Sequence, residues 1–245
     1  MNQHKTATAG VAAFALMLIA SPSQAAGVNL VANAGFEQYT LGDVLHRMDN
    51  SNLPSWQTTS GTTWVVPSDK IQNLLWTTSN GGKDLLTTSP DGGNFLAMDS
   101  DYLRGPVWQT VSGLTAGDTY NLSFSSALAQ QAGTILGQTY DWMNVSLGSD
   151  TQLVWATPGV PTYLPSQGFS GWQQYNLSFV ATAASEVLAF AAYGGPSGAP
   201  PYVLLDGVSL TDTTPMPTPL PAALFFVAPT LAGVFGFSRR KQVKA

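Results

Sequence analysis

The chain of 245 residues has a formal net charge of −5, and 44% of its residues are hydrophobic while only 9% are charged. A chain so poor in charge, with 24 glycines and 16 prolines, is neither a coiled coil nor a highly charged disordered protein. It contains no cysteine, which excludes disulfides and thiolate metal sites as supports of the fold. Its length suits one domain together with sorting segments.

The charges are distributed unevenly along the sequence. All fourteen acidic residues lie between the basic groups at the two ends, in a stretch where only Arg47, Lys70, Lys83 and Arg104 are basic. That stretch therefore carries a formal charge of −10, the difference between four basic and fourteen acidic residues. Binding of nucleic acid needs Lys and Arg to displace counterions from phosphates. We therefore expect no nucleic-acid partner and favour divalent cations as ligands.

Residues 1–25 have the pattern of a secretory signal peptide. Lys5 precedes an apolar run at 11–20, and Ser23-Gln24-Ala25 supplies the small residues of a cleavage site. The run is too short for a stable membrane span. We predict that the chain is exported and that this segment is removed.

Residues 27–212 consist of short alternating apolar runs separated by clusters of Gly, Pro, Asn, Asp and Ser, which is typical of strands and turns. The clearest strand is 119–125, where Tyr120, Leu122 and Phe124 alternate with polar residues, so that one face is buried and the other meets water. Gly117 precedes it in a predicted turn that uses a positive φ. The other predicted strands are 62–66, 94–98, 144–147, 187–192 and 202–211.

The pentapeptide Tyr-Asn-Leu-Ser-Phe occurs twice, at 120–124 and at 175–179. A Trp-Gln pair precedes each copy, and the matching positions predict that Trp108 and Trp172 belong to the core. We interpret the copies as equivalent strands from the two halves of a β-sandwich. Their separation is too long for one hairpin and favours Greek-key or jelly-roll connections.

Several motifs across 27–212 resemble those of the galactose-binding-like jelly rolls, a group that includes carbohydrate-binding modules. They are Asn29-Leu30-Val31, Asn33-Ala34-Gly35-Phe36-Glu37, Pro54-Ser55-Trp56, Asp91-Gly92-Gly93-Asn94-Phe95-Leu96, Trp172-Gln173-Gln174-Tyr175 and Leu204-Leu205-Asp206-Gly207-Val208-Ser209-Leu210. The resemblance implies an all-β jelly-roll β-sandwich with a carbohydrate-binding role.

The same resemblance implies a structural calcium ion beside the Glu that follows Gly-Phe and the Asp of the last strand, here Glu37 and Asp206. Ca²⁺ takes about six to eight oxygen ligands, and the first and last strands commonly lie together. Gly207 stands where the family often has a second acidic residue. Asp91, Asp99 and Asp101 are further candidates. The alternative is that Glu37 and Asp206 accept hydrogen bonds from the backbone and hold turns.

Seven Trp and eight Tyr are enough to build a sugar-binding platform. Aromatic rings pack on the apolar faces of sugars, while polar neighbours fix the orientation of the ligand. The candidates in polar or loop-like contexts are Trp64, Trp76, Trp142, Trp155 and Tyr163. The alternative for each of them is packing in the core.

The sequence gives little support for catalysis. His46 is the only histidine after removal of the signal peptide, and neither Gly-x-Ser-x-Gly nor His-Glu-x-x-His is present. A glycosidase needs two facing carboxylates, and Asp99 with Asp101 could share a strand face. We predict that the protein is not an enzyme, with a secreted glycan-active hydrolase as a third alternative.

After a Pro/Thr linker at 213–218, residues 219–237 are uncharged, and the basic tail 238–245 follows. The uncharged run is close to the ~20 residues that cross a hydrocarbon core. A basic tail next to a span indicates a cytoplasmic end. We therefore predict a C-terminal transmembrane helix that holds the exported chain in the membrane.

The order of these segments resembles the PEP-CTERM sorting signal of Gram-negative bacteria. The residues that carry the resemblance are Pro219, Leu220, Pro221, Ala222 and Ala223 before the apolar helix, and Arg239, Arg240 and Lys241 after it. Leu220 stands where the family usually has Glu. The resemblance implies recognition by a membrane exosortase, removal of the helix, and release or attachment at the surface, often in species that make exopolysaccharide.

The combined prediction is an exported cell-surface or extracellular-matrix protein that binds polysaccharide without catalysis. A purely structural or adhesive matrix protein without a sugar site is the main alternative. An exposed, aligned row of aromatic side chains on one sheet would favour binding. Aromatic side chains that are all buried would favour the structural role.

Overall fold

The computed structural model describes residues 27–41, 45–84, 87–133, 136–157, 160–198 and 200–214. The predicted signal peptide, sorting helix and basic tail, and most of the predicted linker, lie outside these ranges. The two described helices are short 3-10 helices at Ile71–Asn73 and Thr78–Asn80. Within the described ranges no helix has the length and apolar character needed to cross a membrane.

Thirteen strands form two antiparallel sheets. Sheet S1 has the order β1 (His46–Arg47), β3 (Thr63–Pro67), β4 (Asn94–Asp99), β13 (Pro201–Asp212), β6 (Thr119–Gln130) and β11 (Gln173–Val180). Sheet S2 has the order β2 (Gln57–Thr58), β5 (Val107–Ser112), β12 (Ser185–Gly195), β7 (Thr139–Leu147), β10 (Val160–Leu164) and β9 (Ala156–Thr157), and β8 (Asp150–Val154) also pairs with β7.

Eight of these strands are arranged as a jelly roll. In S1 the neighbours are β4, β13, β6 and β11, and in S2 they are β5, β12, β7 and β10. The chain alternates between the two sheets from β4 to β7 and alternates again from β10 to β13. This double crossing produces the two Greek keys of a jelly roll. The predicted all-β jelly-roll sandwich is therefore confirmed for the described residues.

The predicted strands lie within or overlap β3, β4, β6, β7, β12 and β13. In β6 the side chains of Tyr120, Leu122 and Phe124 are at most 1% exposed, as their alternation predicts. Gly117 has a φ of 93°, which confirms the predicted turn. Strand β7 starts at Thr139, five residues before the predicted strand at 144–147.

The two copies of the pentapeptide are neighbours in one sheet, so the interpretation that they come from opposite halves of the sandwich is wrong. Strand β11 pairs with β6, and Leu177 lies opposite Leu122 in the register. Two neighbouring strands of one sheet each alternate between core-facing and solvent-facing side chains. Two strands from opposite sheets, which face each other across the core, show the same alternation. Sequence alternation alone does not separate these cases.

In the described part of the chain, clusters of buried apolar side chains lie on both faces of S1 but on only one face of S2. The main core lies between the sheets and contains Phe36, Trp56, Phe124 and Phe190. A second core lies on the outer face of S1, where side chains from β3, β4, β6 and β13 pack against the loop that follows β3. Its members are Val66, Ile71, Leu74, Leu75, Phe95, Ala97, Ala127, Ala129, Tyr202 and Leu204.

Candidate functional site

Four aromatic rings form a row across three neighbouring strands of S2. Tyr163 on β10 lies opposite Tyr140 on β7, and Trp142 on β7 lies opposite Tyr193 on β12. The ring centroids are 6.0 Å apart from Tyr163 to Tyr140, 6.4 Å apart from Tyr140 to Trp142, and 5.7 Å apart from Trp142 to Tyr193. These four side chains are called the aromatic row.

The alternation of β7 directs its part of the row away from the core. Met143, Val145 and Leu147 are at most 2% exposed and face the main core. Tyr140 and Trp142 occupy the intervening positions and are half-buried. Because successive side chains of a strand point to opposite faces, the two rings lie on the outer face of S2.

Three rings of the aromatic row are nearly parallel, and the fourth, Tyr163, is tilted by 59° against Tyr140. The Tyr140 and Trp142 planes differ by 9°, and the Trp142 and Tyr193 planes differ by 13°. Tyr163 is 56% exposed at one end of the row. Exposed aromatic side chains grouped on one surface are typical of an interaction site rather than of scattered surface residues.

Polar and small side chains lie beside the row. Asn144 follows Trp142 on the outer face, and its Oδ1 is buried without a hydrogen-bond partner among the described residues. Ala191 lies opposite Asn144, and Ala189 lies opposite Trp108 on β5. The two alanines keep the surface low between β7 and β5.

Arg104 marks the end of the row opposite to Tyr163. Its guanidinium carbon lies 5.2 Å from the centroid of the Tyr193 ring, which is a cation–π contact. The loop that carries Arg104 is tied to the segment before β3. Thr58 Oγ1 donates a hydrogen bond to the Pro106 carbonyl at 3.0 Å, and Ser60 Oγ donates one to the Leu103 carbonyl at 3.2 Å.

Asp99 holds the start of the same loop. Its Oδ1 accepts hydrogen bonds from the backbone N–H groups of Asp101 and Tyr102, at 2.9 and 3.0 Å. Burial raises the pKa of Asp99, and the charge of Asp101 adds to the effect. The loop between β4 and β5 is thus fixed at several points, which gives Arg104 a defined position.

A buried carboxyl group lies directly beneath the row. Asp141 is completely buried between Tyr140 and Trp142 in the sequence of β7, and Ser100 Oγ donates a hydrogen bond to its Oδ1 at 2.5 Å. Its Oδ2 has no hydrogen-bond partner among the described residues. Burial raises the pKa of Asp141 to about 8, opposed by the Ser100 hydrogen bond and aided by the charge of Asp99.

Of the five aromatic residues predicted to contact a ligand, Trp142 and Tyr163 belong to the aromatic row. Trp64 lies in S1, where the Arg47 guanidinium carbon is 5.2 Å from its ring, and it lines a separate cavity of about 310 Å³ with Asp99, Asp101 and Tyr202. Trp76 is half-buried in the loop after β3, and its backbone N–H donates to the Gln130 carbonyl at 3.0 Å.

Trp155 lies in the core and not on the surface. It is 8% exposed, and its Nε1 donates a hydrogen bond to Ser126 Oγ at 2.9 Å. Its backbone has a φ of 64°, which turns the chain after β8 and brings the indole inward. The buried position leaves no ring face for a ligand, so Trp155 does not join the aromatic row.

Sequence reasoning missed Tyr140 and Tyr193, and the prediction that Trp108 belongs to the core is wrong. Trp108 is half-buried on an outward position of β5, whereas Trp172 packs partly against the second core, with its ring 5.4 Å from Phe95. The spacing of Tyr140 and Trp142 by two residues was the available signal, because aromatic side chains at such spacing share one face of a strand.

The predicted calcium ligands lie where the N-terminal segment meets β13. Asp206 is completely buried, its Oδ1 accepts the Gly207 N–H at 2.7 Å, and its Oδ2 has no hydrogen-bond partner among the described residues. Burial raises the pKa of Asp206 to about 8, opposed by hydrogen bonds from the Ser89 side chain and the Gly207 N–H and aided by the charges of Asp91 and Glu37. Glu37 is exposed, and its Oε1 accepts the Asn94 N–H at 2.7 Å.

These groups fit a calcium ion only with help from the backbone. In the described part of the chain, no group of three or more His, Asp or Glu side chains is arranged to hold a metal ion. Two glycines allow the close approach of the carboxylates, since a Cβ at Gly93 would collide with Glu37 and one at Gly35 would lie 2.6 Å from Asp91 Oδ2. Ca²⁺ accepts backbone carbonyl oxygens as well as carboxylates.

No family model and no curated protein matches the chain. Similar solved structures include carbohydrate-binding modules. TmCBM61, solved with β-1,4-galactotriose, is 18% identical with a TM-score of 0.41, and the match covers 76% of this chain and 99% of that module. The CBM22-1 xylan-binding domain of Paenibacillus barcinonensis Xyn10C is 14% identical with a TM-score of 0.36, and the match covers 78% and 98%.

Proposed function

We propose that this protein binds polysaccharide without catalysis and that the glycan chain lies along the aromatic row. The observation that carries the proposal is the set of four neighbouring rings on the outer face of S2, three of them nearly parallel. Such rings offer apolar surface to sugar faces at successive positions. This arrangement is the one expected of a binding role rather than a purely structural one.

The open shape of the site favours binding along a chain over capture of a single small molecule. The row crosses β10, β7 and β12 on a sheet face, and its rings are half-buried or exposed. A face of this kind contacts several units of a polymer at once. The affinity then increases with the number of rings that the polymer covers.

The non-catalytic part of the proposal rests on where the candidate catalytic groups lie. His46 is exposed on β1 of S1, and its Nδ1 lies 2.9 Å from the Arg47 carbonyl. Asp99 uses its Oδ1 to hold a turn. Asp141, although close to the row, lies on the inner side of β7 and is completely buried.

The proposed setting is the cell surface or extracellular matrix of a Gram-negative bacterium. It rests on sequence segments alone: the signal peptide at 1–25, and the PEP-CTERM-like segment with its basic tail. An exosortase-type membrane enzyme is the proposed processing partner. In that setting an extracellular polysaccharide is the ligand that an exported protein would meet.

A structural calcium ion at Glu37 and Asp206 is a second part of the proposal. The buried Asp206 oxygen without a hydrogen-bond partner supports it, because a buried carboxylate needs a donor or a cation. Asp206 and Glu37 would supply carboxylate ligands, and the bound ion would link the N-terminal segment to β13. It would act on stability and not on the aromatic row.

The test is binding of the purified chain to a panel of neutral and acidic polysaccharides by affinity electrophoresis and calorimetry. We expect Trp142→Ala to lower the affinity about tenfold or more, which corresponds to about 1.4 kcal/mol. Trp64→Ala is the matched control, since it removes an indole from the opposite sheet. A folded chain that binds no glycan would overturn the proposal and make a structural matrix role the better account.

A further inference from the structure

The outer face of S2 carries no acidic side chain at the outward positions of its described strands, although the segment between the two ends has a formal charge of −10. The outward positions near the row are occupied by aromatic, small and neutral polar residues. They are Gln57, Trp108, Thr110, Ser112, Tyr140, Trp142, Asn144, Ser146, Leu153, Tyr163, Val187, Ala189, Ala191 and Tyr193. The acidic residues of β7 and β12, Asp141 and Glu186, are buried, and the exposed Asp150 at the start of β8 lies opposite the inward-facing Leu147.

A positive charge stands at the end of this uncharged face. Arg104 is exposed and is held over the Tyr193 ring. Among the described residues the one ion pair joins Lys70 and Asp69, so no described carboxylate forms an ion pair with Arg104. Its guanidinium also donates no hydrogen bond to a described residue.

Arg104 is exposed and contacts the Tyr193 ring through its guanidinium carbon, which leaves its N–H donors available to a ligand. A guanidinium is planar, and its N–H donors point outward in that plane, so packing one face on a ring leaves the donors free. Two of these donors match the two oxygens of a carboxylate. Hydrogen bonds to the Leu103 and Pro106 carbonyls fix the loop that carries Arg104. The guanidinium is therefore held at the end of the row before any ligand binds.

We propose, on the basis of the binding function above, that Arg104 binds a carboxylate of a glycan lying on the aromatic row, so that the ligand is an acidic polysaccharide containing uronic acid units. The absence of acidic side chains on this face lets a polyanion approach although the domain as a whole is acidic. The aromatic row supplies contact area for the sugar rings, and Arg104 selects the charge.

The experiment compares one oligogalacturonate with the same oligosaccharide after its carboxyl groups have been reduced to primary alcohols. Both are titrated into the purified chain by calorimetry, without added calcium so that the acidic ligand does not gel. We expect the oligogalacturonate to bind about tenfold more tightly than the reduced form. Arg104→Ala should remove this preference, so that the two oligosaccharides bind with similar affinity.

Two further variants test whether the preference depends on the position of Arg104 and on its guanidinium group. Arg47→Ala is the matched control, because Arg47 forms a cation–π contact of the same length, 5.2 Å, with Trp64 in S1. It should keep the preference. Arg104→Lys should keep only part of it, since an ammonium group does not form the bidentate pair.

Equal affinity for both oligosaccharides, or a preference that survives in Arg104→Ala, would overturn the inference. If Trp142→Ala then weakens the binding of both forms, the proposed polysaccharide-binding function stands and only the acidic ligand is refuted. If neither form nor any other glycan of the panel binds to the folded chain, both proposals fail. Equally tight binding of a sulfated oligosaccharide that depends on Arg104 would contradict the assignment to a carboxylate.

Discussion

The outer faces of the two sheets differ although both carry aromatic side chains. On S1 the outward side chains Phe95, Tyr202 and Leu204 are at most 1% exposed, because the loop after β3 packs over them. On S2 the outward rings remain open to solvent. The covered face belongs to the core of the molecule, and the open face is free to bind a ligand.

The difference shows that the type of residue does not determine its role. A buried ring contributes through the apolar area that it removes from water, about 25 cal/mol per Å². A ring on the open face removes less area on folding and keeps area that a ligand can cover. Under the proposed function, stability depends on the covered face of S1 and binding on the open face of S2, so variants on the two faces should separate the two properties.

The largest expected effect is on the covered face. Phe95→Ala should lower the free energy of unfolding by about 3–5 kcal/mol, because it leaves a cavity between β4 and Trp172. Tyr193→Ala on the open face is the matched variant and should cost only about 1 kcal/mol. Urea denaturation measures both. Equal losses would show that the two faces do not differ in the way described.

Asp141 should make stability fall as the pH rises. Its pKa is raised from 3.8 to about 8 in the folded protein. Its contribution is therefore fully present below pH 4, where the carboxyl group is protonated in both states, and is lost as the pH rises through about 8. We expect a change of about 3 kcal/mol, less than the full shift implies at about 1.4 kcal/mol per unit, since the surroundings relax.

Asp141→Asn removes this titration and keeps the oxygen that accepts the Ser100 hydrogen bond. Urea denaturation at pH 5 and pH 9 should therefore show a smaller loss of stability for the variant than for the parent chain. Asp206 titrates in the same direction and is unchanged in both proteins. An identical pH dependence of the two proteins would contradict the buried position of Asp141.

Calcium should act on the proposed site at β13 and leave the open face unaffected. At a concentration of 100 Kd, Ca²⁺ should stabilise the folded chain by about 2.7 kcal/mol. Asp206→Asn should abolish the effect, whereas Asp141→Asn, which changes another fully buried carboxyl group, should retain it. Thermal unfolding with Ca²⁺ and with a chelator measures this. A calcium effect that survives in Asp206→Asn would place the ion elsewhere.

The smallest expected effect concerns the exposed cation–π pair of S1. Arg47→Ala should lower the free energy of unfolding by only about 0.5 kcal/mol, because a solvent-exposed contact of this kind is weak. Denaturation in urea would detect the change as a small shift of the midpoint. A loss above about 2 kcal/mol would mean that Arg47 closes the cavity beside Trp64 more tightly than its exposure indicates.

The strands could be predicted from the sequence because alternation is a local property. Tyr120, Leu122 and Phe124 report the burial of their own strand without reference to any partner. The aromatic row could not be predicted in full, since it depends on the register of β7 with β10 and β12. Trp155 illustrates the same limit, because a single left-handed residue after β8 decides whether its indole faces water or the core.

The repeated pentapeptide bears on solubility. Strand β11 (Gln173–Val180) is an edge strand of S1 in the described part of the chain. It contains no charged residue and no proline, which are two features that usually prevent a strand edge from pairing with another molecule. Its sequence already pairs with its own copy in β6. Among the described residues, one side chain forms a hydrogen bond with the free edge of β11: Gln152 Nε2 donates to the Ser178 carbonyl at 2.7 Å. An uncharged edge of this kind favours pairing between molecules at high concentration.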